Sequence, residues 1–260
     1  MESMKYLVIM SDNRPLTNSF WHADYNSLVV AANTEYCKKH NYDFLYLKPF
    51  LKDKNTVVLN NCLDPHSLAP RHAAWSKVLS LHYAVNEQLS LSNYDYIVYI
   101  DSDCIFKNFN ITLDDYILPH KDYDILITND APDSIDTPCT GFIVCKPVKE
   151  SADFLKEWYN VNSPDKNVKR CWEQDGLLEI FRKYSNLKII DNTNYFFEQP
   201  GQYLRHITTF AHCVSPANKR VPYFRKFVTA LKIDFGANIN NVRSIEYETV
   251  DYMNKMNETI

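Results

Sequence analysis

The chain has 260 residues, 45% hydrophobic and 23% charged, enough for one large domain or two small ones around a buried core. A formal net charge of -4, with basic residues scattered rather than blocked, leaves no field to hold nucleic acid by its phosphates. Glycine occurs four times, and neither G-x-G-x-x-G nor a P-loop is present, so a nucleotide would have to be held another way.

In chain order, residues 4–10 read as a buried strand, stopped by Ser11-Asp12-Asn13-Arg14-Pro15. The apolar run within it is too short for a signal-peptide core, and nothing later approaches a membrane span. The spacing predicts a helix over 26–40, with Leu28, Val29, Ala32 and Tyr36 on one face. A strand is expected over 43–47 and a loop rich in Asn and Pro over 48–70. The clearest helix covers 73–89, where Trp75, Val78, Leu79, His82 and Leu89 fall near helical spacing; Trp75 reads as core. Strands are expected over 96–100, 124–128, 141–145, 187–190 and 207–212, and helices over 148–160, 174–184 and 221–231. The polar segment from Asp234 has no evident place. Alternating strands and helices argue for an α/β domain with a mostly parallel sheet and helices on its faces. Seven cysteines without a C-x-x-C pair suggest reduced thiols and a cytosolic setting.

One stretch asks for explanation. "NYDYIVYIDSDCIFKN" (residues 93–108) runs from a segment fit for burial straight into Asp101-Ser102-Asp103. Strands of a parallel sheet are buried on both faces, and ligands sit outside their carboxyl ends. Two carboxylates roughly 4 Å apart repel by ~1 kcal/mol in water and about 4 kcal/mol at an intermediate dielectric. A divalent cation bridging to phosphate oxygens would relieve that repulsion. A solvated turn is the plainer alternative, because Asp and Ser also satisfy local backbone groups after strands.

These residues resemble the D-x-D strand of nucleotide-sugar glycosyltransferases of the GT-A fold, and within it the α-1,2-galactosyltransferase and xyloglucan xylosyltransferase family. The blocks "EYCKKHNYDFLYLK" (35–48), "RHAAWSKVLSLHYAV" (71–85), "CTGFIVCKPVKESADFLKEWYN" (139–160), "WEQDGLLEIF" (172–181) and "ITTFAHCVSPANKR" (207–220) are similar to family segments in the same order. The resemblance implies one Rossmann-like GT-A domain over 1–260. Its nucleotide-binding part would be about 1–107, its acceptor side about 108–233 and its tail about 234–260. It implies that Asp101, Asp103 and His212 hold Mn²⁺, with Mg²⁺ as the alternative, against the diphosphate of a UDP-sugar. Ser102 and Lys77 would face the donor phosphates, and Ser11, Asp12 and Asn13 the base and ribose. Thr140 and Gly141 would border the sugar, and Glu173, Gln174 or Asp175 would lie near the anomeric carbon. Lys219, displaced by one from the family lysine, or Arg220 would stand near the diphosphate, and the glycine that usually accompanies that lysine is missing.

The implied activity moves a hexose or pentose from the UDP-sugar to a glycan, glycoprotein or glycolipid hydroxyl, with retention at the anomeric carbon. Family members carry an N-terminal membrane anchor and work in the Golgi; this sequence shows no such segment, so the cytosol, including that of a virus-infected host, is expected. Each site residue also has an ordinary reading. His212 could be a packed histidine, Lys77 a solvated one of its kind, Asp12 and Asn13 a turn, and the acids at 173–175 a helix start. Tyr195, Phe196, Phe197 and Tyr203 are the acceptor-side candidates, since aromatic faces stack on sugars. The rival functions are a sugar-phosphate nucleotidyltransferase, disfavoured by the lack of a glycine-rich loop after the first strand, and a non-catalytic carbohydrate-binding scaffold with a degenerate GT-A fold.

Overall fold

The computed structural model describes residues 4–53, 56–59, 62–129, 138–162, 172–190, 210–212 and 217–258, with the side chains at 53, 56–59, 172, 210–212 and 217–219 outside that description. The first unit is a parallel pair with its crossover helix: β1 (Tyr6–Ser11), α1 (Tyr25–His40) and β2 (Asp43–Asp53). α1 stops at Asn41, whose left-handed backbone (φ 58°) suits an Asn cap. β3 (Thr56–Leu59) folds back on the end of β2, and the short pair β4 (Cys62–Leu63) and β5 (Pro70–Arg71) leads into α2 (Ser76–Leu91). β6 (Tyr96–Ile100) then pairs parallel to β1. It is followed by β7 (Cys104–Phe106), α3 (Asp114–Ile117), β8 (Ile125–Asn129), β9 (Pro138–Cys145) and α4 (Lys149–Tyr159). The remaining elements are α5 (Trp172–Ile180), β10 (Leu187–Ile190), β11 (Phe210–His212), α6 (Ala217–Ala230), α7 (Phe235–Asn240), β12 (Arg243–Glu248) and α8 (Thr249–Glu258).

The main sheet runs β10-β8-β9-β6-β1-β2-β12, with β3 added to β2. Its pairs are parallel except those made by β9 and β3. The period-2 alternation of the central strands divides the core. Tyr6, Val8, Met10, Val98 and Ile100 pack on the side of α1, α6 and α7; Leu7, Ile9, Ile97 and Tyr99 pack with α2, α4, α5 and α8. Both faces are covered, so the continuous apolar run before Asp101 is a central buried strand, as its composition suggests. Trp75 is fully buried in the second cluster, a core residue.

Two segments differ from expectation. The stretch 48–70 is not mainly loop: β2 continues to Asp53 and β3 turns back beside it. The segment from Asp234 builds α7, β12 and α8, and β12 pairs with β2 over Arg243–Glu248. The two differences share a cause. The outer half of β2 is a strand because β12, nearly 200 positions away, and β3 supply its ladder partners; Pro49 and the mixed composition give no local signal of that pairing. α8 is fixed to α2 by a hydrogen bond of 2.7 Å between His82 Nδ1 and the Tyr252 hydroxyl.

Burial holds the His82 imidazole neutral, its pKa pushed down to about 4. The unfolded chain then binds more protons than the folded one between the ordinary histidine range and about pH 4, so stability falls as pH drops through that window. The expected loss between about pH 7 and about pH 5 is roughly 2 kcal/mol. Urea denaturation at both pH values should show it in the wild type and show less of it in His82→Gln. A second expectation concerns glycine. A Cβ at Gly176 would meet the Trp75 ring at 2.5 Å, whereas one at Gly236 would meet nothing within 4 Å. Gly176→Ala should therefore lower stability by about 1–3 kcal/mol. Gly236→Ala should raise it by up to about 1 kcal/mol, both read by thermal unfolding.

Candidate active site

The site begins where β6 ends. The Asp101 amide donates to the Gly141 carbonyl of β9 at 3.0 Å, and the Cys104 amide closes a turn onto the Asp101 carbonyl at 3.0 Å. Asp101, Ser102 and Asp103 are therefore carried on one tight turn at the carboxyl edge of the sheet. The turn is held from behind by Asn33 of α1. Its side-chain amide donates to the Cys104 carbonyl at 2.9 Å and accepts from the Phe106 amide at 3.0 Å, so a fully buried side chain satisfies the inner edge of β7. The antiparallel pairing of β11 with β7 sets His212 opposite Cys104, one residue beyond Asp103.

Lys77, from the first turn of α2, is 5% exposed and points into the gap between β6 and α5. Its Nζ lies 2.8 Å from Asp101 Oδ1, 2.9 Å from Glu173 Oε1 and 3.2 Å from the Thr140 hydroxyl. Burial alone would lower the Lys77 pKa, but the adjacent Asp101 and Glu173 carboxylates outweigh it and hold the ammonium raised. The Thr140 hydroxyl donates to Glu173 Oε1 at 2.8 Å, and the Tyr99 hydroxyl donates to Asp101 Oδ1 at 3.2 Å. Burial, then Asp101, pushes the Tyr99 phenol pKa far up, so it remains a donor. Glu173 is 4% exposed, and its Oε2 is buried with no hydrogen-bond partner among the described residues. A buried carboxylate oxygen left unpaired in this way is costly and marks a place where a donor group belongs.

Above this floor lies a cleft of about 370 Å³, lined among others by Ser11, Asp12, Tyr25, His72, Lys77 and the Asp101–Asp103 turn. Its rim is made of ion pairs. Arg14 forks onto Asp12, with Nε 3.0 Å from both carboxylate oxygens and Nη2 closing the pair. The same Nη2 donates to the Ser102 hydroxyl at 3.2 Å. Arg220 lies 3.1 Å from Asp103, and both guanidinium groups stack on the Tyr25 ring, at 4.1 Å for Arg14 and 5.0 Å for Arg220.

Of the residues singled out in the sequence, Ser11, Asp12, Lys77, Asp101, Ser102 and Asp103 line this cleft, and Thr140 and Glu173 close its floor. Gly141 contributes its carbonyl to the turn. Gln174 accepts from the Thr140 amide at 3.4 Å, whereas Asp175 is half-buried and does not join the Lys77 cluster. Asn13 points away, donating to the Pro49 carbonyl at 3.1 Å. Ser11 accepts from Ser80 at 2.8 Å, tying it to the interior. The side chains of His212 and Lys219, and all of Tyr195, Phe196, Phe197 and Tyr203, lie outside the described residues. Arg220, the alternative to Lys219 at the diphosphate, reaches the cleft at Asp103. Arg14 and Tyr25 were missed by sequence reasoning: Arg14 lay in the loop already singled out, but nothing local marks an Arg–Tyr–Arg stack assembled from three separate elements.

Among the described residues no cluster of three or more His, Cys, Asp or Glu could hold a metal, and no helix is long and apolar enough to cross a membrane. No curated protein is significantly similar to the chain. Among solved structures, a glycosyltransferase involved in the glycosylation of the major capsid of PBCV-1 aligns with a TM-score of 0.60 and 16% identity, over 85% of this chain and 98% of that one. The bifunctional glycosyltransferase WbbM aligns at 13% identity over 93% of this chain and 52% of its own, with a TM-score of 0.48. The fold is that of the GT-A-like glycosyltransferases. The chain belongs to the galactosyl transferase GMA12/MNN10 family, whose sequence profile matches residues 3–155, and it is a glycosyltransferase. Membership implies a nucleotide-sugar donor and a glycan acceptor.

The floor makes a testable demand. Removing the Lys77 ammonium would leave Glu173 buried and uncompensated, so Lys77→Met should cost about 3–5 kcal/mol. The same change in a Glu173→Gln background should cost clearly less, a coupling that a double-mutant cycle in urea would measure.

Proposed function

We propose that the protein transfers a sugar from a UDP-sugar to a hydroxyl of a glycan, glycoprotein or glycolipid, with retention at the anomeric carbon. One observation carries this reading: a buried ammonium, two carboxylates of different burial and a threonine converge beneath a polar cleft at the carboxyl ends of β1 and β6. Asp12 with Arg14 would hold the base and ribose, with Ser11 and Asn13 shaping the same loop. Ser102, Lys77 and Arg220 would face the diphosphate, and Lys219 stands beside Arg220 in the chain.

Asp101, Asp103 and His212 would hold a divalent cation. Two carboxylates on one turn, with the backbone of His212 in register beside it, would supply an oxygen-and-nitrogen donor set suited to Mn²⁺ more than to Mg²⁺. When bound, the ion would act as a Lewis acid on the diphosphate oxygens. Glu173 is the acid we place at the sugar, with Thr140 and Gly141 at its border. Its Oε2, buried and without a hydrogen-bond partner among the described residues, would accept from a sugar hydroxyl or stabilise positive charge on the ring. Gln174 would support this through Thr140, and Asp175 has a lesser part. In the reaction the bond from the anomeric carbon to the diphosphate breaks on the face where the acceptor oxygen attacks. The acceptor proton passes to the departing phosphate oxygen. The buried thiols at Cys37, Cys62 and Cys145 support work in a reducing compartment such as the cytosol.

UDP release from a panel of UDP-sugars, with Mn²⁺ or with chelator, tests the reading. Turnover with one sugar should require Mn²⁺ and vanish in Asp101→Ala/Asp103→Ala. Glu173→Gln should lower kcat by roughly 100-fold or more while UDP binding persists. If Mn²⁺-dependent UDP binding is absent from the wild type, the donor assignment is wrong.

A further inference from the structure

Trp21 is 74% exposed, the most exposed large apolar side chain among the described residues. It does not belong to a frayed end. It sits in the turn Phe20–His22, beside Phe20 in an edge-to-face contact of 5.1 Å, and Phe20 in turn packs against Phe235 at 5.5 Å. Arg225 of α6 donates from Nη2 to the Trp21 carbonyl at 3.1 Å, and its guanidinium lies 5.9 Å from the indole centroid. The indole is thus propped from behind and left open in front. It borders a shallow groove of about 510 Å³, completed by Pro222, Arg225, Lys226, Thr229 and Ala230. Among the described residues the groove has no acidic lining, and the Nε of Arg225 is buried without a hydrogen-bond partner.

The groove and the cleft already described are bordered by the same two segments, that of Trp21 and Tyr25 and that of α6. Arg220, on the same helix, reaches Asp103 and stacks on Tyr25. Arg225 is five residues further along, about 7.5 Å of helical rise. Trp21 and Tyr25 likewise leave one short segment. We propose that this groove is the acceptor subsite. A saccharide ring of the acceptor glycan stacks on the Trp21 indole, and its oxygens accept from Arg225 and Lys226. The chemistry matches: an aromatic face for the C–H side of a sugar ring, and donor-only side chains for a ligand rich in acceptor oxygens. A lipid surface fits less well. One tryptophan with two cations lacks the paired signals that stable membrane binding needs, and a chain of net charge -4 is repelled by anionic membranes. The inference rests on the transferase reading of the neighbouring cleft.

The test follows the four tryptophan indole N–H signals of ¹⁵N-labelled protein by NMR, with Trp21 assigned from Trp21→Phe. The probes are mono- and disaccharide methyl glycosides of galactose, mannose, glucose, xylose and glucuronic acid, titrated with UDP and diamagnetic Mg²⁺ present. A saturable shift of the Trp21 signal with at least one sugar is expected, weakened roughly tenfold in Arg225→Ala. In transfer assays with that sugar, Trp21→Ala should raise the acceptor KM by a similar factor and leave the donor KM unchanged. A Trp21 signal that no sugar moves, or that only phosphatidylserine vesicles move, would overturn the proposal. UDP binding in the same samples is read separately. If UDP binds and no sugar moves Trp21, the acceptor subsite alone fails; if UDP does not bind, the donor reading fails.

Discussion

The ammonium of Lys77 sits where water cannot compensate it, and the architecture of the site follows from that fact. A buried cation is tolerated only when paired and hydrogen-bonded. Asp101 comes from the end of β6, Glu173 from the start of α5 and Thr140 from β9, and each is drawn to the same nitrogen. One charge thereby fixes the mutual placement of a helix start, a strand end and a second helix. The interaction also explains why Glu173, and not Asp175 two positions on, belongs to the floor: only Glu173 projects from α5 toward α2.

The rim obeys different physics. Arg14 and Arg220 keep 25% and 20% of their side chains exposed, whereas the Lys77 side chain keeps 6%. Water and an arriving ligand can reach the two guanidinium groups, so their pairings with Asp12 and Asp103 are easier to exchange than those of the Lys77 cluster. A rigid charged floor under an exchangeable charged rim suits a cleft that must bind and release a highly charged donor without losing its catalytic geometry.

Support for the floor reaches well beyond it. Arg71, fully buried, pairs with Asp64 at 2.8 Å and stacks over Trp75 at 4.2 Å, while the same indole meets the backbone of α5 at Gly176. Trp75 thus spaces the start of α2 from α5, which sets the gap that Lys77 bridges. The Trp158 indole N–H donates to the Glu173 carbonyl at 2.7 Å and anchors the first turn of α5 against α4. The acid at the centre of the site is placed by backbone contacts as much as by its own charge.

Much was legible in the sequence where local pattern and burial agree. The apolar run before Asp101 could only be a strand buried on both faces, and the 3.6 spacing after Trp75 marked α2, because these periodicities are properties of the chain itself. The family resemblance assigned Asp101, Lys77, Thr140 and one of Glu173, Gln174 and Asp175 to separate parts of a donor site, and the fold brings Asp101, Thr140 and Glu173 to the Lys77 ammonium. Tertiary structure decided the rest, for physical reasons that sequence spacing does not carry. Whether residues 48–53 form a strand depends on a partner from the far end of the chain. Whether Asn13 faces the cleft or Pro49 depends on the direction in which the loop leaves β1. The stacking of Arg14 and Arg220 on Tyr25 depends on three elements meeting, and only the closed fold brings them within reach of one another.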